Sequence, residues 1–160
     1  MNTINLHNPS VVPQFGAVVS PHDVLSCDWS FWTDSWEVTA GRAILSKIVL
    51  LETQRYARKY WELFDKFHCL TLPVNVSLHI FKKGIQPSYE VPMNRSGGHF
   101  KLSTTSSDAA EQIWRTLNAQ MLKEALPKFH NVNGCSLLKK RSGHSIHYYI
   151  KVWLLHSLDK

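Results

Sequence analysis

A chain of 160 residues has room for one domain with a real core and too little for two. Its 18 Lys and Arg against 12 Asp and Glu give a net charge of +6, a surface that concentrates anions and favours a phosphate-bearing or otherwise acidic partner. Gly and Pro are too sparse for a disordered chain, and the six Trp are the unusual component.

The opening segment, MNTINLHNPSVVPQFGAVVSPHDV, lacks a basic leader and carries Pro13 in its short apolar patch, so it reads as neither a signal peptide nor a membrane span. Residues 1–23 are expected to be a loose tail and residues 24–160 the domain. Cys27, Cys69 and Cys135 are odd in number and share no close spacing, which implies reduced thiols in a cytosolic (cytoplasmic) or nuclear compartment and no disulfide framework.

From Val24 to Glu37 the aromatics at 29, 31, 32 and 36 predict a strand followed by a loop carrying Trp36. The apolar run AILSKIVLL occupies 43–51, and Glu52-Thr53 then opens a helix with Ala57, Tyr60, Trp61, Phe64 and Phe67 at helical spacing, ending near His68. Over 74–81, Val74, Val76, Leu78 and Ile80 alternate with Asn75, Ser77 and His79, the pattern of a strand with one buried face. GHFKLST is its expected hairpin partner. SSDAAEQIWRTLNAQMLKEAL predicts a second helix with a Ser or Asp cap, Glu111 three residues beyond Asp108, and an apolar stripe at 110, 113, 114, 117 and 121. NGCSLLKKRSGHSIHYYIKVWLL predicts two strands around a Ser-Gly turn. The second has Ile146, Tyr148, Ile150 and Val152 inward and His147, Tyr149 and Lys151 outward. This order of elements indicates an α+β fold.

Several chemistries are poorly served. FKKGI lacks the glycine spacing of a phosphate loop, no G-x-S-x-G elbow is present, and no Cys–His pair stands in a catalytic context, so no catalytic residue and no cofactor is expected. His144 and His147 with Cys135 could gather a metal only if the two His shared a face, and three residues apart on a strand they point oppositely. Three other segments combine better: Trp36, the Tyr89-Glu90 pair, and the basic turn KKRSGHS. Brought to one sheet edge, they offer two flat rings, a carboxylate and a cationic rim. Two rings can sandwich a base, and a positively charged base, such as one methylated at N7, adds cation–π attraction. A carboxylate accepts two donors from the N1–H and N2–H₂ edge of guanine, whereas adenine presents an acceptor at N1. Lys140 or Arg141 would neutralise the phosphates that follow. Each residue taken singly is more ordinary as packing or solvated surface; only the conjunction favours a charged purine followed by phosphates.

The stretch FKKGIQPSYEVPMNRSGGHF resembles the translation initiation factor 4E family of messenger-RNA cap-binding proteins, with its Phe-Lys-x-Gly-Ile-x-Pro, a following Glu, then Asn and Gly-Gly before an aromatic. Trp29 and Trp32, YWELFDKF, IWRTL and the Gly-led final hairpin are similar to further family segments, and the resemblance runs from about Trp29 to Trp153. It implies a curved antiparallel sheet with helices on its convex face. It further implies stacking by Trp36 and Tyr89, guanine recognition by Glu90, and a phosphate contact from Lys140, with Arg141 or His144 in support.

Tyr89, His99, Ser145 and Tyr149 depart from the family pattern. Tyr89 and Tyr149 stand where Trp is usual, His99 where Arg is common, and Ser145 at a usual basic position, so the phosphate clamp is thinned. Trp61, on the helix that also carries Ala57, stands where the family receives initiation factor 4G or its competitors as a short helix. The family usually continues beyond Trp153 into another helix and strand, so the chain is either a shortened, divergent member, as expected of protists such as kinetoplastids, or one cut at that point. A relative that keeps the fold and the Trp61 surface but has lost effective cap binding, acting as a scaffold or repressor, is the alternative.

Overall fold

The computed structural model describes residues 23–157, so the expected tail lies, but for Asp23, outside the described residues. In chain order these form β1 (Val24–Thr39), β2 (Arg42–Leu45), β3 (Val49–Tyr56), α1 (Ala57–Phe64), β4 (Val76–Lys82), α2 (Pro92–Arg95), β5 (His99–Thr104), α3 (Ser107–Leu122), a 3₁₀ turn (Phe129–Asn131), β6 (Val132–Ser142) and β7 (Ser145–Leu154). The strands make one antiparallel sheet in the order β2-β1-β4-β6-β7-β5, with β3 also paired to β1. The α+β class and the antiparallel sheet with helices against one face are as expected.

The period-2 alternation of the strands sorts their side chains onto two faces. Trp29, Phe31, Leu78, Ile80, Cys135, Leu137, Tyr148 and Ile150 face the helices and join Tyr60, Phe64, Trp114 and Met121 in the main core. Trp32, Phe81 and Trp153 project to the other face and, with Ile85, form a second, smaller cluster. Between α1 and α3 the packing is aromatic: Phe64 stacks on Trp114 with ring centroids 6.2 Å apart, and the buried Tyr60 hydroxyl donates to Asn118 Oδ1.

Four expectations change. Trp36 lies within β1, opposite Leu45, because the strand runs on through a short two-residue turn at Ala40-Gly41. Glu52-Thr53 lies within the strand β3, Val49–Tyr56, rather than opening a helix, so α1 begins at Ala57; it ends at Phe64, before His68. The helix α3 is capped by Ser106, the serine of the expected Ser or Asp cap, whose Oγ accepts from Ala109 N–H at 3.2 Å, but Glu111 closes no box with Asp108 and instead accepts from Cys69 N–H at 3.0 Å. Finally, β5 is not the hairpin partner of β4: it pairs with β7 at the sheet edge, and β4 sits between β1 and β6. The sixteen intervening residues are too many for a tight hairpin, and Gly97 lets the chain press against the end of β7, since a Cβ there would lie 1.6 Å from Leu154 O.

A candidate ligand pocket on the open face

The face away from the helices carries a cavity of about 220 Å³ lined by Trp36, Tyr89, Asp34, His79, Lys151 and Trp153, among others. That is smaller than most drug-sized pockets and suits one planar ring system. Trp36 reaches it from the end of β1, and Tyr89 from the loop between β4 and β5, so two of the sequence-predicted rings, from distant segments, meet in one cavity.

The Tyr89 loop is tied down by two asparagines. Asn94 Nδ2 donates to the carbonyls of Gln86 and Ser88 at 2.8 and 2.9 Å, and Asn133 Nδ2 donates to Asn94 Oδ1 at 2.9 Å and to Met93 O at 2.8 Å. Both asparagines are buried. Tyr89 also leans on Trp153, with ring centroids 4.5 Å apart at 37°, and burial raises its phenol pKa. Gly134 makes room for this wall, because a Cβ there would lie 2.5 Å from the Phe81 ring on which Trp153 packs edge-on.

Lys151 lines the cavity, and Lys140 and Lys101 lie near it on the same face. Lys140 Nζ is 4.9 Å from the Trp36 ring centroid and 5.8 Å from that of Tyr149, Lys101 Nζ is 4.2 Å from Tyr149, and Lys151 Nζ is 6.0 Å from both Tyr89 and Trp153. Burial, followed by repulsion from Lys101 and Lys140, lowers the Lys151 pKa, with Asp34 pulling the other way. An anion arriving there relieves that repulsion.

Among the other sequence-predicted residues, Glu90 is exposed and follows Tyr89; its N–H donates to Ser88 Oγ and its carbonyl accepts from Arg95, and it is not among the residues lining the cavity. Arg141 alternates away from Lys140 to the opposite side of β6, which removes it from the rim. Lys139, on that same side, is buried, with its ammonium donating to Cys69 O at 2.9 Å. Tyr149 carries lysines on its ring rather than facing the cavity. His99 sits beside Tyr89, 6.1 Å between ring centroids, and its pKa is lowered by burial and then by Lys151 and Lys101, so it contributes a neutral ring at pH 7. On the far side of the sheet Trp61 is half-buried between Phe64, at 4.9 Å, and the Arg115 guanidinium, at 5.9 Å. Ala57 is 1% exposed and points into the core, which withdraws it from a partner-contacting surface.

Asp34, His79, Ser136, Lys151 and Trp153 also line the cavity, and the pattern did not single them out. His79 was counted on the solvated side of its strand, yet it is buried. Its Nδ1 lies 2.5 Å from Ser136 Oγ and its Nε2 2.9 Å from Asp34 Oδ2, while Trp153 Nε1–H donates to the same Ser136 Oγ at 2.8 Å. The available signal was positional: 34, 79, 136 and 153 fall on the alternation phase opposite the helix-facing core. A larger cavity, about 340 Å³, lies on the helix face near Phe100 and Leu126, and none of the predicted site residues lines it.

The sequence and fold have recognisable relatives. A protein-family model described as eukaryotic initiation factor 4E matches residues 24–160. Eukaryotic translation initiation factor isoform 4E of Capsicum annuum is 27% identical over 137 residues, covering 84% of this chain and 67% of the relative. The isoform from Solanum lycopersicum is 26% identical over 148 residues, covering 89% and 72%. Among solved structures, Ascaris suum eIF4E-3 in complex with m2,2,7G cap superposes with a TM-score of 0.70 at 18% identity, over 87% of this chain and 76% of that one. The complex of C. elegans eIF4E-3 with the 4E-binding protein Mextli gives 0.70 at 14% identity, over 85% and 76%. The two superpositions establish a shared fold, and the family match over nearly all the described residues goes further: the chain belongs to the eukaryotic initiation factor 4E family.

Proposed function

We propose that this chain binds the 7-methylguanosine cap of messenger RNA in the pocket between Trp36 and Tyr89, and engages a 4G-like scaffold or 4E-binding protein through the α1 face around Trp61, in cytoplasmic translation initiation. It is a binding protein and not an enzyme. The observation that carries this is the meeting of Trp36 and Tyr89 in one base-sized cavity that Lys151 lines and Lys140 lies near. Each ring stacked on the methylated base contributes about 1–3 kcal/mol, with a cation–π share from the charged ring. Glu90, next to Tyr89, accepts from the guanine edge once the base is seated. The lysines neutralise the phosphate chain and make affinity fall as salt rises. After association costs, the sum corresponds to a dissociation constant of roughly micromolar order.

One feature favours the weaker-binding alternative, a scaffold or repressor that retains the Trp61 face. Tyr89 is a smaller ring than Trp, and Trp153 occupies part of its surface. Intrinsic tryptophan fluorescence separates the two. Saturable quenching by 7-methyl-GTP but not by GTP, lost in Trp36→Ala, is the expected result. No quenching at millimolar nucleotide, together with a partner pulled down through Trp61, supports the scaffold instead.

A further inference from the structure

We propose that Asp34 is a second carboxylate of this pocket, accepting a hydrogen bond from the exocyclic amine of the bound guanine, and is thereby a specificity-determining residue. The assignment rests on the cap-binding function proposed above. The side chain of Asp34 is 5% exposed and lines the cavity. Its two oxygens have unlike surroundings: Oδ2 faces His79 Nε2 at 2.9 Å, whereas Oδ1 is buried and has no hydrogen-bond partner among the described residues. Buried acceptors are nearly always paired, so an unpaired carboxylate oxygen on a residue that lines a cavity has its pairing left for a donor that arrives with a ligand.

The hydrogen-bond chain behind Asp34 fixes which way it faces. Trp153 Nε1 can only donate, and a carboxylate can only accept. With a neutral His79, every member is satisfied when Trp153 donates to Ser136, Ser136 donates to His79 Nδ1, and His79 Nε2–H donates to Asp34 Oδ2. The serine, histidine and aspartate stand in the order of a hydrolase triad, but Ser136 is 0% exposed and its hydroxyl is committed to both His79 Nδ1 and Trp153 Nε1–H. What the chain does is hold Oδ2 and leave Oδ1 without a partner. Lys151, whose charge Asp34 favours, keeps the carboxylate near a cation on the same wall.

Guanine presents three N–H donors along one edge, N1–H and the two of the exocyclic amine. One carboxylate takes two, so with Glu90 at the rim a donor is left over, and Asp34 Oδ1 is the acceptor available for it.

The test is titration of the wild type, Asp34→Asn and Glu90→Gln with 7-methyl-GTP and with 7-methylinosine triphosphate, which lacks the exocyclic amine. Asn must turn its one oxygen to His79, leaving an NH₂ where the amine requires an acceptor. Asp34→Asn should therefore cut the preference for 7-methyl-GTP by roughly tenfold, the factor of one hydrogen bond to a charged acceptor. Glu90→Gln, at an exposed position, should leave roughly tenfold preference in place. A wild-type ratio in Asp34→Asn, or a ratio abolished by Glu90→Gln alone, overturns the assignment, and the second result does so even if Asp34→Asn fails to fold. Binding of both nucleotides without discrimination removes Asp34 but keeps the cap-binding function; binding of neither overturns both.

Discussion

The strand β7 takes part in two unlike surfaces. Tyr148, Ile150 and Leu154 turn to the helices, where Tyr60, Phe64 and Trp114 are wholly buried and the aromatic rings fill the space between α1, α3 and the sheet. Tyr149, Lys151 and Trp153, the residues between, turn to the open face, where a three-residue buried cluster gives way to a polar chain, three lysines and a cavity. One side of the sheet is thus filled by aromatic rings around Tyr60, Phe64 and Trp114, and the other carries few buried apolar residues. Where packing is complete it stabilises the fold and leaves no room for a ligand. The open face gives up that stabilisation, and its remaining polar and aromatic groups are available for recognition.

Matched tryptophan truncations test this division most severely. Trp114→Ala, on the filled face, should destabilise the fold by about 3–5 kcal/mol, read from denaturant unfolding, because the cavity it leaves is closed on all sides. Trp36→Ala, on the open face, should shift stability by under about 1 kcal/mol while removing nucleotide-induced quenching. Equal destabilisation by the two would make Trp36 a core residue and erase the contrast.

Asn94 joins the two roles. Its side chain fastens the Tyr89 loop through Gln86 and Ser88 and is itself held by Asn133. Asn94→Ala leaves two carbonyls and the Asn133 amide short of partners, at about 1–3 kcal/mol. It should weaken 7-methyl-GTP binding by freeing Tyr89, and slow exchange of the backbone amides of residues 88–91 should be lost; unchanged exchange there would show the loop is held by other means.

The strands β4 and β7 were legible because their apolar residues alternate, and both main helices because their stripes recur at helical spacing, though β3 was read as the start of α1. Trp36, Tyr89 and Lys140 were named from residue type and motif, and the cavity brings the two rings together with Lys140 beside Trp36. What was not legible required knowing that both faces of the sheet are occupied. Asn75, Ser77 and His79 look like a solvated side of a strand, and only with Trp153 and Ser136 laid across from it does His79 become an interior group. The placement of β5 was likewise out of reach, since pairing between β5 and β7 joins segments more than forty residues apart and no local pattern records it.

The smallest expected effect lies at the border of the open face. His99 packs near Tyr89 and Trp153, and its pKa is held below the usual histidine value by burial first and then by Lys151 and Lys101. The unfolded chain therefore takes up this proton at a higher pH than the folded one. Stability is full above the unfolded value of about 6.5 and declines as pH falls through it toward the lower folded value. Because the ring is largely exposed, solvent and salt screen the interaction and the decline should be slight. His99→Gln keeps a polar side chain of similar reach without the charge. Melting temperatures of the two proteins should run parallel above pH 7 and separate below pH 6, the wild type falling faster. A wild type that gains on the variant in acid would mean that His99 is protonated in the fold, and so supplies the rim with the cation that Lys101 and Lys151 were taken to exclude.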